Sequence, residues 1–132
     1  MALVVPNQGE VEMLARILNK NTPYDVELRL FVNDITPDEN TVIGDLTEST
    51  GDGYSPQTLS GANWTISTDG SGVTTAEYPQ VTFTYTGAEA NVYGYYVTSN
   101  GVLLWAERFS DGPYTIPSGG GEIKVTPKIT LD

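Results

Sequence analysis

Asp34, Asp38, Glu39, Asp45 and Glu48 form the densest set of side chains in this chain that could do chemistry. Two such carboxylates on one cleft could cleave a glycosidic bond as acid and nucleophile or base, and several could offer oxygens to calcium. The spacing argues against both. It lacks the alternating Asp/Asn, central Gly and terminal Glu of an EF-hand loop, so a solvated acidic loop is the simpler expectation. Gly51-Asp52-Gly53 and Asp69-Gly70-Ser71-Gly72 hold residues that turns favour, and no phosphate-loop lysine follows either segment. The chain has no histidine and no cysteine. It therefore lacks the usual general base of Ser, Cys and Thr hydrolases, the commonest transition-metal ligand, and any thiol chemistry. No catalytic, cofactor or metal residues are expected.

Aromatic side chains are the sharper signal. Tyr85, Tyr93, Tyr95, Tyr96, Trp64 and Trp105 fall in expected strands, where rings stack on sugars, anchor protein interfaces or fill a core. Several lie in Val92 to Phe109 (VYGYYVTSNGVLLWAERF), which reads as a hairpin. Asn100-Gly101 supplies a type I′ turn, because both residues tolerate φ > 0. Ser99 then faces Val102, and the pairing runs back through Thr98/Leu103, Val97/Leu104, Tyr96/Trp105 and Tyr95/Ala106. One face carries Tyr95, Val97, Val102, Leu104 and Ala106; the other carries Val92, Tyr96, Leu103, Trp105 and Phe109. A bulge would shift the pairs by one residue but leave apolar side chains on both faces. Each face needs a cover.

The elements that position this hairpin follow from periodicity. Asn7 as N-cap, Glu10 three residues on, and Val11, Leu14, Ala15 and Leu18 at helical spacing predict one helix over about 7–18, ended by Asn19 to Pro23. Tyr24 to Val32 alternates, with Val26, Leu28, Leu30 and Val32 on one side and Asp25, Glu27 and Arg29 on the other. From Ile35 to Tyr54 the chain is acidic and punctuated, with room for a helical turn near Thr41 to Leu46. Gln57–Leu59, Asn63–Ser67, Val73–Tyr78, Val81–Thr86 and Tyr114–Ile116 read as short strands. A long final strand places Ile123, Val125, Ile129 and Leu131 on one face. Pro127 within it implies a sheet edge or a bulge. One domain of 132 residues follows, mainly β, an antiparallel sandwich of which the jelly roll is one form, with one short N-terminal helix. The helix stripe, or another subunit, must cover the second hairpin face.

Seventeen acidic residues against six basic ones give a formal net charge of −11. That sign disfavours nucleic acid as a partner and suits a soluble, self-repelling surface that a basic partner would attract. No stretch has the length of a membrane span, and no cationic segment precedes a long apolar one, so neither a membrane partner nor a signal peptide is expected.

At LRLFVNDITPDENT (Leu28 to Thr41), at the Val92 to Phe109 hairpin, and at the MALVVPN and EIKVTPKITL segments, the chain resembles small virion structural proteins of tailed bacteriophages, the capsid decoration or cement family. The resemblance implies a non-enzymatic protein on the capsid exterior, synthesised in the host cytoplasm. It would bind the major capsid protein lattice as a dimer or trimer and strengthen the shell, with no cofactor and no small-molecule substrate. On this basis Tyr93, Tyr95, Tyr96, Leu103, Trp105, Phe109, Val11 and Leu14 are the candidate interface. A tail, baseplate or fibre-associated module is the first alternative. A carbohydrate-binding β-sandwich using Trp64, Trp105 and exposed Tyr rings is the second.

Overall fold

The computed structural model describes residues 3–18, 20 and 25–131. In chain order these form α1 (Asn7–Ile17), β1 (Val26–Phe31), β2 (Gln57–Leu59), β3 (Thr65–Thr68), β4 (Thr74–Glu77), β5 (Val81–Tyr85), β6 (Glu89–Val92), β7 (Gly94–Ser99), β8 (Val102–Arg108), β9 (Tyr114–Ile116), β10 (Gly121–Val125) and β11 (Lys128–Leu131). Short 3-10 turns occupy Ile43–Asp45 and Gly61–Asn63. Strand takes 43% of the chain and helix 14%, so the fold is mainly β, and its antiparallel sheets make it sandwich-like. The expected end of the helix, Asn19 to Pro23, lies almost wholly outside the described residues.

One layer is the sheet β2-β1-β7-β8. Opposite it, β5 pairs with β10 and β4 pairs with β11, with β3 on the outer side of β4. These two ladders are successive parts of one antiparallel ribbon that bends where Pro79 and Pro127 interrupt it. The single long final strand expected from sequence is therefore two strands. Pro127 is fully buried at the corner, and its carbonyl accepts the Tyr78 N–H at 2.9 Å. A proline at this point removes no ladder bond because the strand is changing partners there.

The main core lies between the layers. Leu28, Leu30, Tyr95, Val97, Leu104 and Trp105 from the first meet Tyr78, Phe83, Tyr85, Ile123 and Val125 from the second. Period-2 alternation made Leu28 and Leu30 legible in advance. Phe31, on the polar parity of β1, is fully buried all the same.

The hairpin turn is as expected: Asn100 and Gly101 have φ of 50° and 76°, and Ser99 faces Val102 with Thr98 facing Leu103. Beyond that the register slips. Val97 faces Trp105, Tyr96 faces Ala106 and Tyr95 faces Glu107. The extra residue is Leu104, so Leu104 and Trp105 both point into the main core, whereas Trp105 was expected beside Tyr96 and Leu103. The cause is tertiary. The helix seats Gly9 so close to β8 that a Cβ there would stand 2.2 Å from the Leu104 carbonyl oxygen, while Gln8 Oε1 accepts the Leu103 N–H at 2.9 Å. Irregular β8 backbone is thus bonded by the helix rather than by its partner strand. Val4 exchanges two 2.9 Å hydrogen bonds with Ala106 and closes the rest of that edge.

Tyr96, Leu103 and Ala106, with Phe31, form a second core on the other face of the same sheet. Its cover is neither the helix stripe nor another subunit. Leu46, Ile35, Ile43 and Tyr93 pack over it from the acidic segment and β6–β7, so the expected solvated loop is a lid. Asn33, just before the lid, holds its far end, donating to the Asp45 carbonyl at 2.8 Å and accepting the Thr47 N–H at 2.8 Å.

Candidate functional site

The five carboxylates do not converge. Arg108 donates to Asp34 at 2.7 Å, Asp38 accepts the Asn40 N–H at 2.9 Å, and Asp45 accepts the Val42 N–H at 2.9 Å. Glu39 contributes its main chain, whose carbonyl accepts the Asn7 N–H at 2.9 Å at the start of α1. That bond serves the helix start in place of the expected cap: Pro6 occupies the N-cap, and no side chain caps it. No group of three or more acidic side chains among the described residues is arranged to hold a metal ion.

Glu48 is the most heavily engaged of the five. Both its carboxylate oxygens accept from Arg29 Nη1 at 2.8 Å, and Oε2 also accepts the Tyr54 hydroxyl at 2.9 Å. Arg29 further donates to Thr98 Oγ1 at 3.2 Å and Glu27 at 3.3 Å, and Tyr54 accepts the Leu30 N–H at 3.1 Å. Burial opposes the Arg29 charge, but the hydrogen bond and attraction of Glu48 outweigh it and raise its pKa. The same burial, with Glu48 beside it, pushes the Tyr54 phenol well above its ordinary value. This network ties the segment just after the lid to β1. Glu48→Ala should cost about 2 kcal/mol in urea melts, because it strands a half-buried guanidinium and the Tyr54 hydroxyl.

Ser49, Tyr85 and Glu89 resemble a nucleophile with its supports. Ser49 Oγ donates to Glu89 at 2.6 Å and lies 2.7 Å from the Tyr85 hydroxyl. Ser49 is 2% exposed, however, and Glu89 also accepts the Gly51 N–H at 2.9 Å. The group staples one loop to β5 and β6; no substrate reaches it. Sequence carried no sign of it, since the partners are some forty positions apart.

The candidate interface divides by burial. Tyr95, Tyr96, Leu103 and Trp105 are interior, at 4% exposure or less, and so cannot be the surface a partner touches in this fold. Tyr93 is half-buried, with the Arg108 guanidinium 4.9 Å from its ring centre. Phe109 is half-buried between Tyr95 and Tyr114 and borders an open groove of about 460 Å³ with Ile116, Glu122 and Lys124. Trp64 is half-buried and makes T-shaped ring contacts with Tyr78 and Trp105, and Trp105, at 4% exposure, offers no free stacking face. Trp105 Nε1 is buried without a hydrogen bond; its effect on the nearby Tyr95 phenol is a small one, opposed to that of burial and Glu107. Trp105→Ala should cost about 3–5 kcal/mol by urea denaturation, and Trp105→Phe distinctly less because it removes the orphan N–H.

Val11 and Leu14 are the two that lie at the surface. Of the expected stripe only Ala15 is buried, while Val11, Leu14 and Leu18 are 69%, 60% and 73% exposed, and Ile17 joins them at 75%. The helix packs through the opposite side, where Gly9 and Ala15 are buried, Met13 touches the main core, and Arg16 bonds both Glu12 and Ser99. Small residues win because this helix lies directly on strand backbone, and a leucine there would not fit. The missed signal was available: Gly9, Glu12, Met13 and Arg16 form a second stripe at helical spacing, with an i,i+4 ion pair inside it. The densest exposed apolar surface is therefore the outward face of α1, four aliphatic side chains on one helix, whereas Ile66, Leu131 and Val42 are exposed elsewhere on the fold. Comparison with known proteins finds no matching family model, no matching curated protein and no matching solved structure.

Proposed function

We propose that this chain is a non-enzymatic structural protein of a tailed-bacteriophage virion, a decoration or cement protein that docks on the major capsid protein lattice and stabilises the shell. The observation that carries this reading is the contrast between interior and surface. Polar groups that could do chemistry are engaged in two part-buried networks, Glu48 with Arg29 and Tyr54 and Ser49 with Glu89, whereas the outward face of α1 exposes Val11, Leu14, Ile17 and Leu18. A contiguous apolar patch on a small acidic domain fits a protein whose work is contact. The resemblance of the Leu28 to Thr41 segment and of the hairpin to small virion proteins supports the choice of partner. The net charge of −11 would favour approach to a basic face of the lattice.

The test is immunogold labelling of purified particles with antiserum against the chain. Label distributed over the head supports the proposal. Label confined to tail or baseplate replaces it with the tail-module alternative, and absence from particles overturns it.

A further inference from the structure

We infer that the outward face of α1 is a self-association surface, on which a second copy of this chain packs its own α1 antiparallel about a two-fold axis. This rests on the reading of the chain as a docking protein, names a second copy as the occupant of the α1 face and so leaves lattice contact to the rest of the surface; it makes a claim about the isolated protein that needs no capsid.

The side-chain spacing fits helix pairing. Val11, Leu14 and Leu18 follow the three-then-four step of a heptad seam, and Ile17 flanks it. All four are 60% to 75% exposed. Apolar side chains at this spacing present knobs to another helix of the same kind, and a two-fold axis near Leu14 sets each seam against itself.

Charge selects the occupant and its direction. The chain as a whole repels its own copies, with a net charge of −11. The segment from Asn7 to Lys20 is itself neutral, since Glu10 and Glu12 are balanced by Arg16 and Lys20. Acids sit in its first half and bases in its second. Arg16 and Glu12 already pair within the chain, which leaves exposed Glu10 near the start and exposed Lys20 just past the end. An antiparallel pair brings Glu10 of one copy to Lys20 of the other, twice by symmetry; a parallel pair sets like against like. Copies can therefore approach antiparallel through this face without net repulsion between the two helices.

Area sets the strength. Four aliphatic side chains at this exposure offer about 400 Å² of apolar surface per copy, near the size of the largest patch on an ordinary monomer. A standard stable interface needs roughly 800 Å² per partner, so the isolated dimer is weak, with a dissociation constant of about 100 μM. Such a contact suits copies held close together by a lattice, where effective concentration is high.

Sedimentation equilibrium of the full chain at concentrations up to about 1 mM tests this. Wild type should show a monomer–dimer equilibrium, and Leu14→Glu should weaken it at least tenfold while leaving the near-ultraviolet circular dichroism unchanged, because Leu14 touches neither core. Glu10→Lys should also weaken the dimer, and the double variant Glu10→Lys/Lys20→Glu should restore it. Wild type that stays monomeric throughout, or a dimer indifferent to Leu14→Glu, overturns the inference. A dimer broken by Leu14→Glu but not rescued by the charge swap overturns the antiparallel arrangement. None of these outcomes depends on whether the protein is found on phage heads.

Discussion

Gly94→Ala should leave the purified chain unfolded at room temperature, read as loss of the near-ultraviolet circular dichroism of its tyrosines and tryptophans. Gly94 opens β7, a strand hydrogen-bonded on both sides, where it faces Phe31 of β1 and Arg108 of β8. A Cβ at this position would stand 2.2 Å from the Glu107 carbonyl oxygen and 2.6 Å from two carbons of the Phe31 ring. Neither neighbour can yield. The carbonyl belongs to the paired strand, and Phe31 is fully buried beneath the lid in ring contact with Tyr96. Moving either would part the sheet or open the second core. The expected cost is about 5 kcal/mol or more, comparable to the whole stability of a small domain. Recovery of a cooperatively folding Gly94→Ala protein with near wild-type urea stability would show that β7 and β8 are not paired as described.

Raising the pH above 10 should unfold the protein over a narrow range, because four phenols in its two cores resist ionisation, Tyr85 less than Tyr54, Tyr95 and Tyr96. Burial raises the pKa of Tyr54, Tyr95 and Tyr96, with nearby carboxylates adding to it: Glu48 for Tyr54 and Tyr96, Glu107 for Tyr95. Tyr96 is pushed up to about 12. An unfolded tyrosine titrates near 10. Below that pH both states hold the proton and stability is at its full value. Above it the unfolded chain ionises first, so each of these tyrosines removes about 1.4 kcal/mol per pH unit until its folded pKa is reached. Together Tyr54, Tyr95 and Tyr96 remove about 4 kcal/mol per unit, which exhausts a typical stability of 5–15 kcal/mol within a few units. Urea melts between pH 9 and about 12, with tyrosinate absorbance followed in parallel, would record the slope. Tyr96→Phe should flatten it by about a third. Tyrosinate absorbance rising at pH 10 without unfolding would show that these hydroxyls are open to water.

The two effects share an origin. A four-stranded sheet that is apolar on both faces requires two covers, and this chain supplies both from itself: the β4–β5/β10–β11 ribbon on one side and the lid from Ile35 to Leu46 on the other. The doubled apolar face of the hairpin is therefore a sign of burial within one chain. The exposed aliphatic stripe lies on α1, which packs on the edge strand β8 of that sheet.

Local chemistry alone determined the mainly β class, the single helix, the alternation of β1, the Asn100-Gly101 turn and the presence of apolar side chains on both hairpin faces. Each of these depends on neighbours within a few residues, through backbone sterics or a period of two or 3.6. Tertiary structure decided the rest, because the deciding partners are distant in sequence. The bulge at Leu104 depends on Gln8 and Gly9, which meet β8 some ninety-five positions away. The division of the last strand at Pro127 depends on two different partner strands. The acidic segment became a lid because Ile35, Ile43 and Leu46 found an unclaimed apolar face, though none of them alternates in a readable way. The exposure of Val11, Leu14, Ile17 and Leu18 follows from close backbone approach at Gly9: pressing Gly9 onto β8 turns Met13 and Arg16, one and two turns on, towards the fold and leaves the opposite aliphatic stripe facing outward.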